Sequence, residues 1–477
     1  MEKLRKLPGL RDLNERSWFA LMQAYETLTT LFSSRGYRVI DTPILEPTEL
    51  FVRKGGGEMA AQMYSFTDPG GNLVSLRPEF TSSIVRSCIE EGQLPILPLR
   101  AQYGGPVFRY RGDHEHYRQF HQAGVELLGS GHPRADSEIL ALASQGLSAL
   151  GIGNVQLVLG DLGVYNELTG YLGLSERARV FVLSNVGQLK QGIKGLEAVQ
   201  DKARKFRLLS NGSPTDSVLA QIDDLKEDQA RDLIAGMIGQ EEPGSLGQRS
   251  PEEVAERLLN KVRGTEDRAK VTRALELASR LASIEGDPQT SLTKAETLLS
   301  SEGINSRALA RFREVVDLLD GEEVCGTSVR IDFGMARGIA YYTSMVFELV
   351  DAQSGGSFGG GGRYDDLGRA MGSDHDLPAL GFAYDMEQLL AKLARPSTVA
   401  KGPAGQPGTL VVPGTPEAFV RARDVAAELR KDDASIEMEV CGRNLEESLA
   451  YARAKGIETV VEVSNSGERK IHTVGIQ

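Results

Sequence analysis

The sequence predicts an α+β chain: a mixed strand-and-helix core, interrupted by a helical insertion and followed by a small α/β domain. Three observations predict it. Strand-like and helix-like segments mix over residues 1–187. Strand character vanishes from about Gln188 to Glu302 and then returns. After a stretch rich in Pro, Gly and small residues, short strands and helices alternate to the end. At 477 residues the chain suits two or three domains better than one.

Taken in order, RSWFALMQAYETLTTLFSSRG has apolar residues at helical spacing and Gly36 as a stop. YRVIDTPILEPTELF reads as extended chain punctuated by Pro43 and Pro47. NLVSLRPEF, PVFRYR and RQFHQAGVELLG read as strands, and RADSEILALASQGLSALG as an amphipathic helix. KQGIKGLEAVQDKARKFRLLS and PEEVAERLLNKVRG are polar, helical in pattern and almost free of aromatics, which marks the insertion. SVRIDFG, AYYTSMVFELVD and LPALGFAYDMEQLL restore strand character. RPSTVAKGPAGQPG reads as a flexible linker. Beyond it GTLVVPG, SIEMEVC and ETVVEV are strands alternating with two helices, a pattern that predicts a mostly parallel sheet. The boundaries are 1–187 and 319–394 for the two parts of the core, 188–318 for the insertion, 395–408 for the linker and 409–477 for the last domain.

Composition excludes several classes. Hydrophobic residues at 40% and charged residues at 25% fit an ordinary globular chain. No stretch approaches the ~18 apolar residues of a membrane helix. The charged N-terminus lacks the apolar run of a secretory signal. Cys88, Cys325 and Cys441 lie too far apart for a CxxC site or a disulfide framework, so a cytoplasmic location is expected. A net charge of −12 argues against a broad nucleic-acid surface.

The densest chemistry lies in FRYRGDHEHYRQFHQAGVELLG, residues 108–129. Arg109, Arg111 and Arg118 could clamp an anion; equally, they could decorate the solvated tip of a charged hairpin. Strand alternation puts Gln122 and Glu126 on one face, facing one pocket. His114 and His116 invite a zinc reading, but without a nearby cysteine none is expected. Six glycines lie between Gly355 and Gly362. They suit close backbone approach to a ligand or a plain hairpin loop, and form neither GxGxxG nor a Walker loop. Arg337 precedes Tyr341 and Tyr342, a set suited to a carboxylate or an aromatic ring, although paired tyrosines also fill cores. Glu79, after the Pro-fixed turn of LRPEF, could meet an ammonium or a neighbouring cation.

In chain order LPGLRD, TPILEP, LRPEFT, FRYR…YRQFHQAGVELLG, ARGIAYYTSMVFE, GGGGRYDDL and LPALGFAYDMEQL resemble the histidyl-tRNA synthetase family. That family includes true synthetases and a catalytically silent paralogue, the regulatory subunit of ATP phosphoribosyltransferase. The resemblance covers nearly all the chain except the helical insertion. It implies a class II synthetase-like core, an antiparallel sheet with flanking helices, and a homodimer joined around Pro43. It implies a histidine pocket of Glu79, Thr81, Arg109, Gln122, Glu126, Arg337, Tyr341, Tyr342 and Tyr364, all of the family's residue type.

The departures cluster in the ATP half. Arg111 stands where the family has a Glu that orients adenine, and Gln388 where it has an Arg that clamps phosphate. The loop before Arg118 is one residue short, and Ala340 replaces an expected Asp. A lost transition-state donor lowers rate by roughly 10²–10³. From Lys401 onward 10 Lys and Arg face 12 Asp and Glu, which gives the last domain no basic field for tRNA, and it resembles a shortened anticodon-binding domain. The expectation is therefore the regulatory paralogue: a histidine-binding subunit partnering catalytic ATP phosphoribosyltransferase in histidine biosynthesis. It would have no catalytic residue, a degenerate ATP site at Arg111, Arg118 and Gln388, no cofactor or metal, and no tRNA. The alternative is an active histidine–tRNA ligase using ATP and magnesium.

Overall fold

The computed structural model describes residues 3–90, 97–112, 117–206, 208–209, 268–319, 327–335, 341–393, 408–432 and 435–475. His114, His116, Arg337, Ala340, Cys325 and nearly all of the linker lie outside them. So does 210–267, the middle of the expected insertion. Two compact units result: Met1–Asp12 with Gln23–Leu393, and Leu13–Met22 with Ala394–Gln477.

The larger unit is built on a nine-stranded mixed sheet, ordered β1-β5-β6-β12-β11-β10-β7-β9-β8. Its strands are β1 (Arg38–Val39), β5 (Leu99–Phe108), β6 (Gln119–Leu128), β7 (Val155–Asp161), β8 (Glu285–Gly286), β9 (Thr327–Asp332), β10 (Met345–Asp351), β11 (Ser357–Arg363) and β12 (Ala379–Asp385). The centre, from β5 to β7, is antiparallel, whereas β1–β5 and β7–β9 are parallel. A small antiparallel sheet, β2 (Leu45–Pro47), β4 (Leu73–Leu76) and β3 (Ser65–Thr67), stands apart. The segment read as extended to Phe51 is extended only to Pro47. Thr48 begins a helix to Gln62, and Pro47, at its N-cap, needs no donor there.

The two faces of the central strands differ. Leu127, Val125, Leu380, Phe382, Tyr384 and Phe347 point to one face, which the helix Pro133–Ala149 and the part of the helix Glu15–Ser34 from Gln23 onward cover. There Phe32 packs edge-on against Phe382 at 6.0 Å, and the Tyr384 hydroxyl donates to the Ala143 carbonyl. Arg363 anchors β11 on this side. Fully buried, it grips Asp136 through Nε at 2.9 Å and Nη2 at 2.8 Å, and Arg311 of the helix Arg307–Leu319 shares the same carboxylate at 2.6 Å. The opposite face carries Gly124, Ala383, Gly381, Gly362 and Ala379 in register, so its middle is nearly bare backbone.

The glycine run is thus not a loop. Gly355 turns the chain at φ +72°, but from Ser357 onward it forms an interior strand between β10 and β12. A register shift at Leu349/Val350 falls opposite Gly359, whose φ of +142° few side chains tolerate. In the expected insertion, the described helices are Val186–Leu189, Ile193–Lys205, Arg268–Ala282, Pro288–Ser301 and Arg307–Leu319.

The smaller unit has a four-stranded sheet, β14 (Ile436–Met438), β13 (Thr409–Pro413), β15 (Thr459–Val463) and β16 (Arg469–Thr473). Its first three strands are parallel and β16 is antiparallel. Leu410, Val412 and Val460 pack with Ala452 of the helix Leu445–Lys455. Val411 and Val461 pack with Ala422 and Val425 of the helix Phe419–Leu429 on the other face. A capping box between Asn444 and Glu447 starts Leu445–Lys455, and Gly456, at φ +71°, ends it.

Candidate active site

The bare middle of the sheet becomes a pocket because large polar side chains stand around it. Glu126 on β6 is buried at 1% exposure and holds three hydroxyl donors. Thr81 Oγ1 donates to Oε1 at 2.7 Å, Tyr103 OH to Oε1 at 3.1 Å, and Tyr364 OH to Oε2. Burial pushes this carboxyl up to about 8, against the Tyr364 and Thr81 hydrogen bonds, with the Glu79 charge adding to the rise. Space for it comes from Gly381, its cross-strand partner: a Cβ there would lie 1.7 Å from Glu126 Oε2.

Glu79 closes another side. Pro78 turns the chain so that the Glu79 carboxylate accepts the Ser82 backbone N–H at 3.1 Å, at the start of the helix Thr81–Glu90. Burial raises its pKa, with Ser82 and the charge of Arg109 opposing. Arg109, just past the end of β5, donates Nε to the Pro78 carbonyl at 2.8 Å. Tyr341 meets Tyr364 and Tyr342 edge-on, at 5.6 Å and 5.0 Å. Gln122 faces the same way, and its Oε1 is a buried acceptor with no hydrogen-bond partner among the described residues. Of the nine residues singled out for a histidine pocket, eight are described, and all eight line or adjoin this face; Arg337 is outside the described residues.

The three residues assigned to the ATP half do not act as a set. Arg111 lies beside Arg109, their guanidinium carbons 5.7 Å and 5.4 Å from the Phe120 ring centre. Arg118 turns away, its guanidinium over Tyr110 at 4.3 Å and Nε on the Arg111 carbonyl at 3.0 Å. Gln388 is exposed on the first turn of the helix Met386–Leu393, its backbone N–H donating to Asp385 Oδ1 at 3.1 Å. Among the described residues no group of three or more His, Cys, Asp or Glu could hold a metal ion.

Two contributors were not singled out in the sequence, Tyr103 outside the motifs and Glu387 within the last of them. Tyr103 belongs to none, yet it donates to Glu126; Gly124 directly opposite, where a Cβ would meet the Tyr103 hydroxyl at 2.6 Å, is the trace it leaves. Glu387 accepts Arg11 Nη2 at 2.8 Å and the His121 N–H at 2.8 Å, and contacts His121 Nδ1 at 3.0 Å. Burial pushes Glu387 up, but His121 and Arg11 outweigh it and hold the carboxyl below its usual range. Arg11 also lies over Tyr117 at 4.0 Å, and the Gly9 carbonyl accepts the Arg118 N–H at 2.8 Å. The N-terminal segment thereby braces the β5–β6 hairpin.

The sequence pattern of the family described as histidyl-tRNA synthetase matches residues 9–232 and 249–389. The histidine–tRNA ligase of Thermococcus kodakarensis is 31% identical over 97% of this chain and 91% of its own length. That of Pyrococcus horikoshii is 30% identical over 99% of this chain and 94% of its own length. Among solved structures, an ATP phosphoribosyltransferase regulatory subunit/histidyl-tRNA synthetase from Bacillus halodurans superposes with a TM-score of 0.65 at 20% identity, covering 97% of this chain and 99% of that one. A histidyl-tRNA synthetase from Nostoc superposes with a TM-score of 0.61 at 18% identity, covering 99% and 97%. Both bear out the class II synthetase-like fold.

These relatives overturn two expectations. The regulatory, non-catalytic subunit partnering ATP phosphoribosyltransferase gives way, because relatives that match nearly end to end are ligases by name. The exclusion of tRNA falls with it, since those ligases act on tRNA by name. The regulatory expectation rested on the neutral Gln388 and on Arg111 counted as a lost Glu; in the structure Arg111 and Arg109 both lie near the Phe120 ring. Among the described residues no helix is long and apolar enough to cross a membrane.

Proposed function

This chain belongs to the histidyl-tRNA synthetase family, and from that premise we propose that it is a histidine–tRNA ligase, activating histidine with ATP and passing it to its tRNA. The observation that carries the reading is Glu126: a buried carboxyl held by three hydroxyls on β6, the strand whose Phe120 ring lies under the guanidinium groups of Arg109 and Arg111. An imidazole N–H can donate to Glu126, which selects a side chain with a ring donor over an isosteric hydrocarbon. The α-ammonium would meet Glu79 and the unpartnered Gln122 Oε1. The α-carboxylate would lie toward Arg109.

In the first step a carboxylate oxygen of histidine attacks the α-phosphorus of ATP. The bond to the β-phosphate breaks, and histidyl-adenylate and pyrophosphate result. In the second, the terminal ribose hydroxyl of tRNA attacks the acyl carbon and AMP departs. Charge builds on the α-phosphoryl oxygens, where Arg109 and Arg111 supply fixed positive charge. Magnesium would arrive with the nucleotide as part of that substrate. The test is histidine-dependent exchange of pyrophosphate into ATP by the purified chain. Exchange with histidine, and none with other amino acids, is expected; no exchange at saturating histidine and ATP would sink the proposal.

A further inference from the structure

The covered face of the sheet carries a second cleft, away from the pocket just described. It has a volume of about 350 Å³ and is lined by Arg35, Arg100, Arg134, Glu138, Gln145 and the apolar floor of Ala141 and Leu142. Three rigid pieces frame it: the end of the helix Glu15–Ser34, the start of β5, and the helix Pro133–Ala149. Arg100 pairs across strands with Leu127, the neighbour of Glu126, so the cleft and the pocket lie back to back through β5 and β6.

Its charge is unbalanced. Glu138, the only acid in the lining, is fully engaged. It accepts Arg100 Nε and Nη2, both at 2.7 Å, and the Tyr37 hydroxyl at 2.9 Å. Against it stand three guanidinium groups, a surplus of two positive charges in a chain whose net charge is −12. Arg100 commits Nε and one Nη2 hydrogen to Glu138, and Arg35 donates Nη2 to Gln145 Oε1 at 2.9 Å. Each guanidinium has five N–H donors, so most remain for a ligand. Arg134 stands exposed on the first turn of its helix, its own backbone N–H taken by the His132 cap at 3.2 Å. Planar forks converging on a preformed polar recess are the arrangement that binds phosphoryl oxygens.

We propose that the Arg35–Arg100–Arg134 cleft is a binding site for a phosphate group, either the free or terminal phosphate of a small molecule or the phosphodiester of a nucleic-acid backbone. The site stands on its own geometry; only its nucleic-acid arm rests on the ligase reading. The test uses the full chain and the double variant Arg35→Glu/Arg134→Glu, which leaves Arg100 on Glu138; equal melting temperatures establish that the variant folds. Inorganic phosphate is titrated by calorimetry at low salt, and histidine tRNA is bound over a salt series. The expected result is saturable phosphate binding that the variant weakens about tenfold to a hundredfold, as loss of hydrogen bonds to a charged group implies. If the natural source is tRNA, the variant also binds tRNA more weakly, with a log–log salt slope flatter by about 1 or more. If it is a small phosphate, the tRNA curves coincide while phosphate binding falls. Phosphate and tRNA curves that both coincide between the two proteins overturn the site. Histidine-dependent exchange, followed in parallel, should be equal in both; its absence from the unsubstituted chain would refute the ligase reading and leave the cleft untouched.

Discussion

Replacing Glu126 by glutamine removes one ionisable proton from the middle of the sheet while keeping the side chain's shape. In the folded chain this carboxyl is pushed up to about 8 from an ordinary 4.5. Between those values the unfolded chain has released the proton and the folded chain has kept it. The folded state therefore binds more protons, and stability falls as pH rises. The contribution is fully present below 4.5 and gone above 8, at about 1.4 kcal/mol for each pH unit between. Glu126→Gln has no such proton to lose. From pH 6 to pH 8 its stability should gain roughly 2–3 kcal/mol on the unsubstituted chain. Other titrating groups, Asp161 among them, are common to both proteins and cancel in the difference. Urea unfolding, followed through hydrogen exchange of β6 and β12 amides, reports the unit that contains the site. Calorimetry on the same samples should show histidine affinity lost in Glu126→Gln, separating stability from binding. Two proteins whose stabilities change in parallel from pH 6 to pH 8 would refute the assignment of this proton to Glu126.

Gly381→Ala places a Cβ 1.7 Å from Glu126 Oε2, so the carboxylate must move. Histidine binding by calorimetry should fall at least tenfold, and the melting temperature should drop. Asp136→Ala takes from the buried Arg363 its two-pronged partner, leaving it Asp365 at 3.0 Å, and deprives Arg311 of its carboxylate, which should destabilise the larger unit by about 2–3 kcal/mol in urea unfolding. Arg109→Ala should lower kcat/KM for histidine-dependent exchange roughly 10²–10³-fold; a change below threefold would remove Arg109 from the reaction.

Much of this arrangement is legible in the sequence, and the rest fails for identifiable reasons. Gln122 and Glu126 share a face because strand alternation demands it, and β6 places both toward the bare middle of the sheet. Thr48–Gln62 was hidden by Pro43 and Pro47, since a proline just before a helix and a proline in extended chain look alike. The strand at Ser357–Arg363 was hidden for a different reason. Glycine has no strand propensity of its own, and only the neighbours β10 and β12 fix its conformation. Tyr103 has no motif because its role is a contact across strands, decided by a register that one chain segment cannot reveal. The functional expectation failed because it rested on two positions, Arg111 and Gln388, whereas relatives that match nearly end to end are ligases by name.

The brace formed by Arg11 and Glu387 joins residues 376 positions apart. During synthesis at about 5–20 residues per second, the acceptor reaches the ribosomal exit roughly 20–75 seconds after the donor. Through that interval the first dozen residues have no partner in helix Met386–Leu393, and the β5–β6 hairpin has already been made without its support. This contact can close only when the oldest part of the chain meets the newest, where His121 bonds the same carboxylate. A chain ending before residue 387 should leave Arg11 open to trypsin, and the full chain should protect it.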